Sequence, residues 1–349
     1  MRRVKLGFSR GLLVEFTDRA HALNQLSSIA SRGLRLPVVI YGPEGCGKTA
    51  LLRQASLILE DYGYQVVYVN PGVRPLGESL YYTESLRGIV SGVLRDLINR
   101  YSGDMTRALV DLALAAVNVV LKRVSKPRIA VLVDDVFLTL SPGEASLYAK
   151  SALNLIEHPP GDYDRIVVLI AASEGVSRRE LGRHTWASLR ILWNMEYEGF
   201  KTLYGEVSEL IGGGVGVEEA WAATGGNPRL LGALIEREWS MDEVVEEIIT
   251  GRALEALARR REWRSLLEEA LEDPDILAEN YQEGVDTLLT ELVKMNMIVE
   301  NLPPRKEALW IDKPPPQRDE KLGIGRYVAW QTPLHREAVR VAIERTRPR

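Results

Sequence analysis

Apolar residues along this chain follow two periods. Short apolar-rich runs occur at 36–41, 65–70, 129–133, 165–171 and 189–193, that at 129–133 continuous. Runs of this length without polar alternation predict strands of a parallel sheet, covered on both faces. Between them the apolar positions are spaced by three and four, as on helices. One helix runs to about Ser31, with Ala22, Leu23, Leu26, Ile29 and Ala30 on its apolar face, and Thr17 or Asp18 can cap it. Another runs from 49 to 62 and stops at Gly63, and 78–123 reads as two or three helices with no strand signal. A helix carrying Ala145, Leu147, Ala149, Ala152, Leu153 and Ile156 ends near Pro159-Pro160. A short extended lead-in at 12–16 precedes everything else. Strands alternating with helices predict an α/β fold, an open parallel sheet wound by crossovers.

Past about residue 198 the strand signal disappears. Residues 200–272 read as helices, punctuated by Gly212-Gly213-Gly214 and Gly225-Gly226-Asn227-Pro228. The last segment changes again: a helix at 284–296, a strand at 297–300, a Pro- and charge-rich excursion at 302–325, a returning strand at 327–330 and a helix at 334–343. Helix, strand, long wing and strand is the outline of a winged helix. The pattern divides the chain into an α/β core (1–198), an α-helical lid (199–262) and a winged-helix domain (263–349), with no internal repeat.

Composition narrows the classes. The 349 residues carry a net charge of −4, so bulk charge does not announce a nucleic-acid partner. Arg dominates the basic residues, since only 10 of 44 are Lys, which weakly suggests a heat-adapted source. One cysteine excludes an intramolecular disulfide framework and a multi-Cys zinc site, and fits a reducing cytoplasm. The basic N-terminus lacks the apolar segment of a signal peptide. The most apolar stretch, 108–121, carries Asp111 and is too short to span a bilayer, so no membrane partner is expected.

The chemistry centres on Gly42-Pro43-Glu44-Gly45-Cys46-Gly47-Lys48-Thr49, which follows the first strand run and opens a helix. That context makes G-x-x-x-x-G-K-[ST] a phosphate loop. The glycines let the backbone curl so that successive N–H groups point at phosphate oxygens, and the new helix adds its positive end. Lys48 can reach the β- and γ-phosphates, and the Thr49 hydroxyl can hold Mg²⁺. The run Val131-Leu132-Val133 ends in Asp134-Asp135. An acidic strand end downstream of a phosphate loop is its usual partner, with strand order able to place it beside the loop's strand. Asp134 would then orient the metal through a water, and Asp135 would position the attacking water. Alone, the pair could equally open a surface loop.

Three weaker candidates accompany these. Ser173, ending the next strand, can hold the lytic water or cap a helix. Arg178, Arg179 and Arg183 can include an arginine finger or be ordinary surface charges. Cys46 at a helix N-terminus beside Lys48 would have a lowered pKa and raised reactivity, against the plainer reading that a small residue fits there.

The order of these features resembles the archaeal ATPase family within the AAA+ and signal-transducing (STAND) branch of P-loop NTPases, a neighbour of the Orc-type replication initiators. Matching pieces run from Phe16 to about Val341. The lead-in Phe16-Thr17-Asp18-Arg19 resembles the family's adenine-side motif, with Ala20 and Ala22 where Glu is common, which leaves Arg19 as the candidate. The resemblance implies that Ser173 is sensor one, that Arg183 stands in place of the finger, that Pro228 packs near the base and that Arg229 is the nearest sensor-two residue. Gly226-Asn227-Pro228-Arg229 also reads simply as a turn before a helix with Pro near its first position.

The resulting expectation is a slow ATPase that binds ATP or ADP with Mg²⁺ and uses hydrolysis to switch core, lid and winged helix, acting on an unidentified protein partner. The alternative is a nucleotide-regulated DNA-binding protein of the replication-initiator or mobile-element kind. For it the helix at 284–296 is poor in cations, and Arg336, Arg340, Arg345, Arg347 and Arg349 make the better basic surface. A third reading is a bound nucleotide that is structural and never turned over.

Overall fold

Valine- and isoleucine-rich runs become strands where expected, because a strand buried on both faces needs no polar alternation. The structure is a computed structural model, which describes residues 2–72, 79–138, 140–172, 179, 181–212, 214–279 and 284–347. Two units emerge: Met1–Val4, Ala20–Tyr41 and Lys48–Ile191 in the first, Lys5–Arg19, Gly42–Gly47 and Leu192–Arg349 in the second.

In the first unit the strands are β1 (Val38–Tyr41), β2 (Gln65–Val69), β3 (Leu80–Tyr82), β4 (Arg128–Asp134), β5 (Arg165–Ala171) and β6 (Ser188–Leu192). They lie in the order β6-β1-β5-β4-β2-β3. The α/β expectation holds: pairing is parallel throughout except at β3, which runs antiparallel to β2. Helices α1 (Ala20–Arg32), α2 (Lys48–Asp61), α3 (Arg87–Arg100), α4 (Met105–Arg123) and α5 (Pro142–Glu157) intervene. Helix α2 packs on β2, β4 and β5, and α4 packs on β2 and β4. The apolar stretch at 108–121 is indeed a buried helix, and no helix among the described residues is long and apolar enough to cross a membrane.

Three details depart from the sequence reading. Strand β3 lies in the stretch read as all helical, because an edge strand is half exposed and Leu-Tyr-Tyr shows no continuous buried run. Strand β4 is not beside the loop's strand β1, since β5 runs between them. Helix α1 begins at Ala20, after Asp18 and Arg19 at φ 55° and 54°, a backbone that no right-handed helix contains.

The second unit is mostly helical. The lead-in is one half of an antiparallel ribbon, Lys5–Gly7 against Leu13–Glu15. Helices α6 (Tyr197–Ile211), α7 (Val217–Thr224), α8 (Pro228–Glu236), α9 (Met241–Gly251), α10 (Leu254–Ala258), α11 (Arg261–Glu272) and α12 (Val285–Lys294) follow. Then β7 (Ile298–Val299) pairs antiparallel with β8 (Ala329–Trp330), and α13 (Pro333–Arg345) closes the chain. A continuous core joins Leu234, Val244 and Ile248 to Trp263, Leu288, Trp330 and Ile343. Asp275 fastens the excursion between the two strands: its buried carboxylate accepts the backbone N–H groups of Arg326, Tyr327 and Val328 at 2.7–3.0 Å.

Trp330 is fully buried, and its indole N–H donates to the Ala270 carbonyl at 3.1 Å. Trp330→Ala should therefore lower stability by about 3–5 kcal/mol, as large cavities with a stranded acceptor do, measured by urea unfolding.

Candidate functional site

In the first unit, helix α2 starts at Lys48, so the Lys48 and Thr49 amides belong to its first turn, whose N–H groups have no acceptor within the helix itself. The Lys48 side chain is buried. Asp134, the last residue of β4, is 1% exposed. Its Oδ2 accepts from the Tyr68 hydroxyl at 3.0 Å and the Asn70 amide at 3.2 Å. Its Oδ1 is buried with no hydrogen-bond partner, and so is Oδ1 of Asp135. Burial pushes the Asp134 carboxyl up to about 6, Asp135 adds to this, and Thr49, Tyr68 and Lys48 pull it back down. Burial, and then Asp134, raise the Tyr68 phenol, so its hydroxyl stays a donor. Asp135 adopts φ 50° while its N–H bonds the Ala171 carbonyl at 3.2 Å.

Two orphaned carboxylate oxygens next to a threonine are what a divalent cation would satisfy. No group of three or more His, Cys, Asp or Glu side chains gathers among the described residues. Mg²⁺ keeps waters and takes phosphate oxygens, so it asks few ligands of a protein, and Asp134 with Thr49 is a donor set that could serve it. Tyr68 and Asn70 were not singled out from sequence. Their only signal is position: Tyr68 lies near the end of β2 and Asn70 just past it, and β2 pairs with β4 in the register Tyr68↔Leu132 and Val69↔Val133.

In the second unit, the loop residues Gly42, Gly45 and Gly47 have φ 147°, 78° and 103°. Side-chain-bearing residues rarely adopt such angles, so the glycine spacing is a requirement of the curl. At Gly45 a Cβ would also lie 2.4 Å from the Arg229 Cβ and 2.8 Å from the Asn227 Oδ1. Pro43 lends its carbonyl to the Cys46 N–H at 3.3 Å. Cys46 is fully buried and its thiol donates to the Leu192 carbonyl at 3.3 Å, which favours the reading that a small residue is fitted there.

Arg19 is 4% exposed and its guanidinium is committed to protein acceptors: Nη1 to Asp312 Oδ2 at 3.0 Å, Nη2 to the carbonyls of Cys46 at 2.6 Å and Trp193 at 3.0 Å. It thus braces a loop carbonyl. Pro228 is the first residue of α8, and the Asn227 side chain caps that helix by accepting from the Arg229 and Leu230 N–H groups. Arg229 bonds the Glu44 carboxylate at 2.5 Å. Arg183 is exposed in the turn after Leu181, and Arg179 is half-buried. Ser173 and Arg178 lie outside the described residues.

His335, in the first turn of α13, is buried, and its Nδ1 is 2.8 Å from the Thr332 hydroxyl. Burial, and then Arg252, lower its pKa to about 3 from the ordinary 6.5, against a small opposing pull from Glu44. The folded ring is neutral, so the unfolded chain binds one more proton between these values. Stability present above pH 6.5 is therefore lost as pH falls towards 3, by about 1.4 kcal/mol per unit for this one group. His335→Gln should flatten the acid side of the stability profile by that slope, measured by urea unfolding from pH 7 to 4.

Comparison with curated proteins gives no match. Among solved structures, ORC2 of Aeropyrum pernix aligns at 16% identity over 94% of this chain and 92% of that one, with a TM-score of 0.42. An AMPPCP-bound DnaA from Aquifex aeolicus aligns at 14% identity over 77% and 75%, with a TM-score of 0.37. A RuvB mutant from Thermotoga maritima aligns at 14% over 83% and 91%, with a TM-score of 0.39. Likenesses this distant carry no argument. The family model of an ATPase domain found predominantly in Archaea matches residues 16–234. With the phosphate loop and the acidic end of β4 both inside that span, the chain belongs to this archaeal ATPase domain family.

Proposed function

We propose that this protein binds ATP with Mg²⁺ and hydrolyses it slowly, and that the cycle switches an α/β core, a helical lid and a C-terminal winged helix between arrangements. The observation that carries the reading is the buried Asp134, whose Oδ1 lacks a partner on a strand end that also senses Lys48 and Thr49. A carboxylate left desolvated and half-satisfied is costly unless a cation completes it.

Each side chain then has a role. Lys48 and the amides at the start of α2 hold the phosphates. Thr49 and Asp134 hold the metal, which when bound neutralises charge developing on the phosphoryl oxygens. Tyr68 and Asn70 aim the Asp134 carboxylate by holding its other oxygen. Asp135, turned by its left-handed backbone, positions the attacking water. In-line phosphoryl transfer asks little covalent work of a protein, so placement and charge supply most of the rate. Arg19 and Pro228 are assigned to the base side, with Arg19 acting through its brace on the loop. Ser173 and Arg183 are assigned as γ-phosphate sensors. The division at 1–198, 199–262 and 263–349, an unidentified protein partner and a cytoplasmic setting belong to the same proposal.

The DNA-binding alternative has less support. Its basic residues that the structure describes bond protein acceptors: Arg336 the Glu320 and Lys321 carbonyls, Arg340 Glu337 and Glu344, Arg345 Glu246 and Glu255, and Arg347 Glu268, while Arg349 lies outside the described residues. On α12, Lys294 is paired with Glu291.

Two substitutions test the assignment. Lys48→Ala should weaken ATP binding by about 100-fold or more through loss of a charge-assisted contact, read by equilibrium titration with a fluorescent ATP analogue. Full-strength binding would overturn the phosphate-loop reading. Asp135→Asn should bind ATP normally while phosphate release slows by about 10²- to 10⁴-fold, the range set by losing a water-positioning base. Unchanged turnover removes Asp135 from that role, and no phosphate release by the wild type leaves a structural nucleotide.

A further inference from the structure

Glu44 occupies a position of the phosphate loop that the G-x-x-x-x-G-K-[ST] pattern leaves open. A residue there needs only to pass through a turn. Glu44 instead has every polar group engaged within the second unit. Its N–H donates to the Gln331 Oε1 at 2.7 Å, and its carbonyl accepts from the Asn227 Nδ2 at 2.8 Å. Its carboxylate accepts from Arg229 Nη1 at 2.5 Å, Arg252 Nη2 at 3.1 Å and Asn296 Nδ2 at 3.3 Å.

These partners come from different elements. Asn227 and Arg229 open α8, Arg252 ends α9, Asn296 follows α12, and Gln331 follows β8. Arg252 is itself anchored, because its other terminal nitrogen donates to the Met295 carbonyl. Asn227 is also held by the Asn194 Oδ1 at 2.9 Å. Burial pushes the Glu44 carboxyl up, but Arg229 and Arg252 outweigh it and hold it below the usual carboxylate range. There is no slack at the next residue, where any Cβ would strike Arg229.

We propose that Glu44 is a coupling residue, a carboxylate clamp through which the C-terminal helices hold the phosphate loop and feel what it binds. The clamp holds the first half of the loop, ahead of Lys48 and Thr49, where the proposed phosphate binds. A phosphate seated there restricts the loop, and the clamp passes that restriction to α8 and to the Met295–Asn296 turn. Coupling of this kind is reciprocal, so loosening either end loosens the other. The clamp itself is independent of the proposed nucleotide chemistry, whereas its signalling role rests on that reading.

Backbone hydrogen exchange on the full chain tests it, with and without a non-hydrolysable ATP analogue, for wild type, Glu44→Gln, Arg252→Gln and the double variant. Glutamine keeps the shape of Glu44 and removes its charge, and melting by circular dichroism confirms that each variant folds. Without ligand, Glu44→Gln should exchange roughly tenfold faster in peptides covering 42–47, 227–231 and 294–296, as expected for a charge-assisted network. The double variant should show less than the sum of the two single effects, because both single variants lose the same Glu44–Arg252 bond. Wild-type protection in Glu44→Gln, or strictly additive effects, overturns the clamp. With the analogue at concentrations that saturate each protein, wild type should gain protection at 227–231 and 294–296 and Glu44→Gln should not. Equal gains in both proteins overturn the coupling role. No response in wild type counts against the nucleotide reading, and the ligand-free comparison then decides the clamp by itself.

Discussion

The N-terminal unit is organised by one desolvated carboxylate. Asp134 ends a strand whose neighbours on both sides are apolar, and it is 1% exposed. A charge in that position is tolerable only with donors around it. Tyr68 and Asn70 serve one oxygen, and the other has no hydrogen-bond partner. The sheet order, the register of β2 on β4 and the start of α2 together build the setting that the proposed cation and phosphate would share.

The second unit solves a different problem, that of keeping a glycine-rich turn in one shape. Glycine permits the angles of such a turn but does nothing to hold them, since it loses more freedom on folding than any other residue. Here the restraint comes from side chains distant in sequence. Arg19 bonds the Cys46 carbonyl while paired with Asp312, and both side chains are at most 10% exposed. Breaking a buried pair of this kind by removing one partner costs about 3–5 kcal/mol, because the survivor is stranded. Glu44 is tied at its amide, carbonyl and carboxylate. The loop's flexibility is local, and its rigidity is tertiary.

Much of the architecture was legible because the relevant signals are short-range. Strands β1, β2, β4 and β5 are largely continuous apolar runs, and the helix that opens at Lys48 follows from the loop pattern. Strand β3 was missed because an edge position removes the requirement for burial on both faces. The start of α1 was placed early because nothing local forbids Asp18 and Arg19 from helical angles. The site divides along the same line: Lys48, Thr49, Asp134 and Asp135 stand in recognisable local contexts, whereas Tyr68 and Asn70 are ordinary strand-end residues until the register places them beside Asp134.

What the sequence by itself determined is the phosphate loop, the acidic strand end, the α/β alternation and the family, since each rests on residues within a few positions of one another and on sterics that act over that range. What only the tertiary structure decided is which groups complete them. The bond from Arg252 to Glu44 spans 208 residues, and that from Arg19 to Asp312 spans 293. No local preference encodes such a pair, because any arginine can meet any carboxylate. Packing alone brings these together, and burial makes their separation costly.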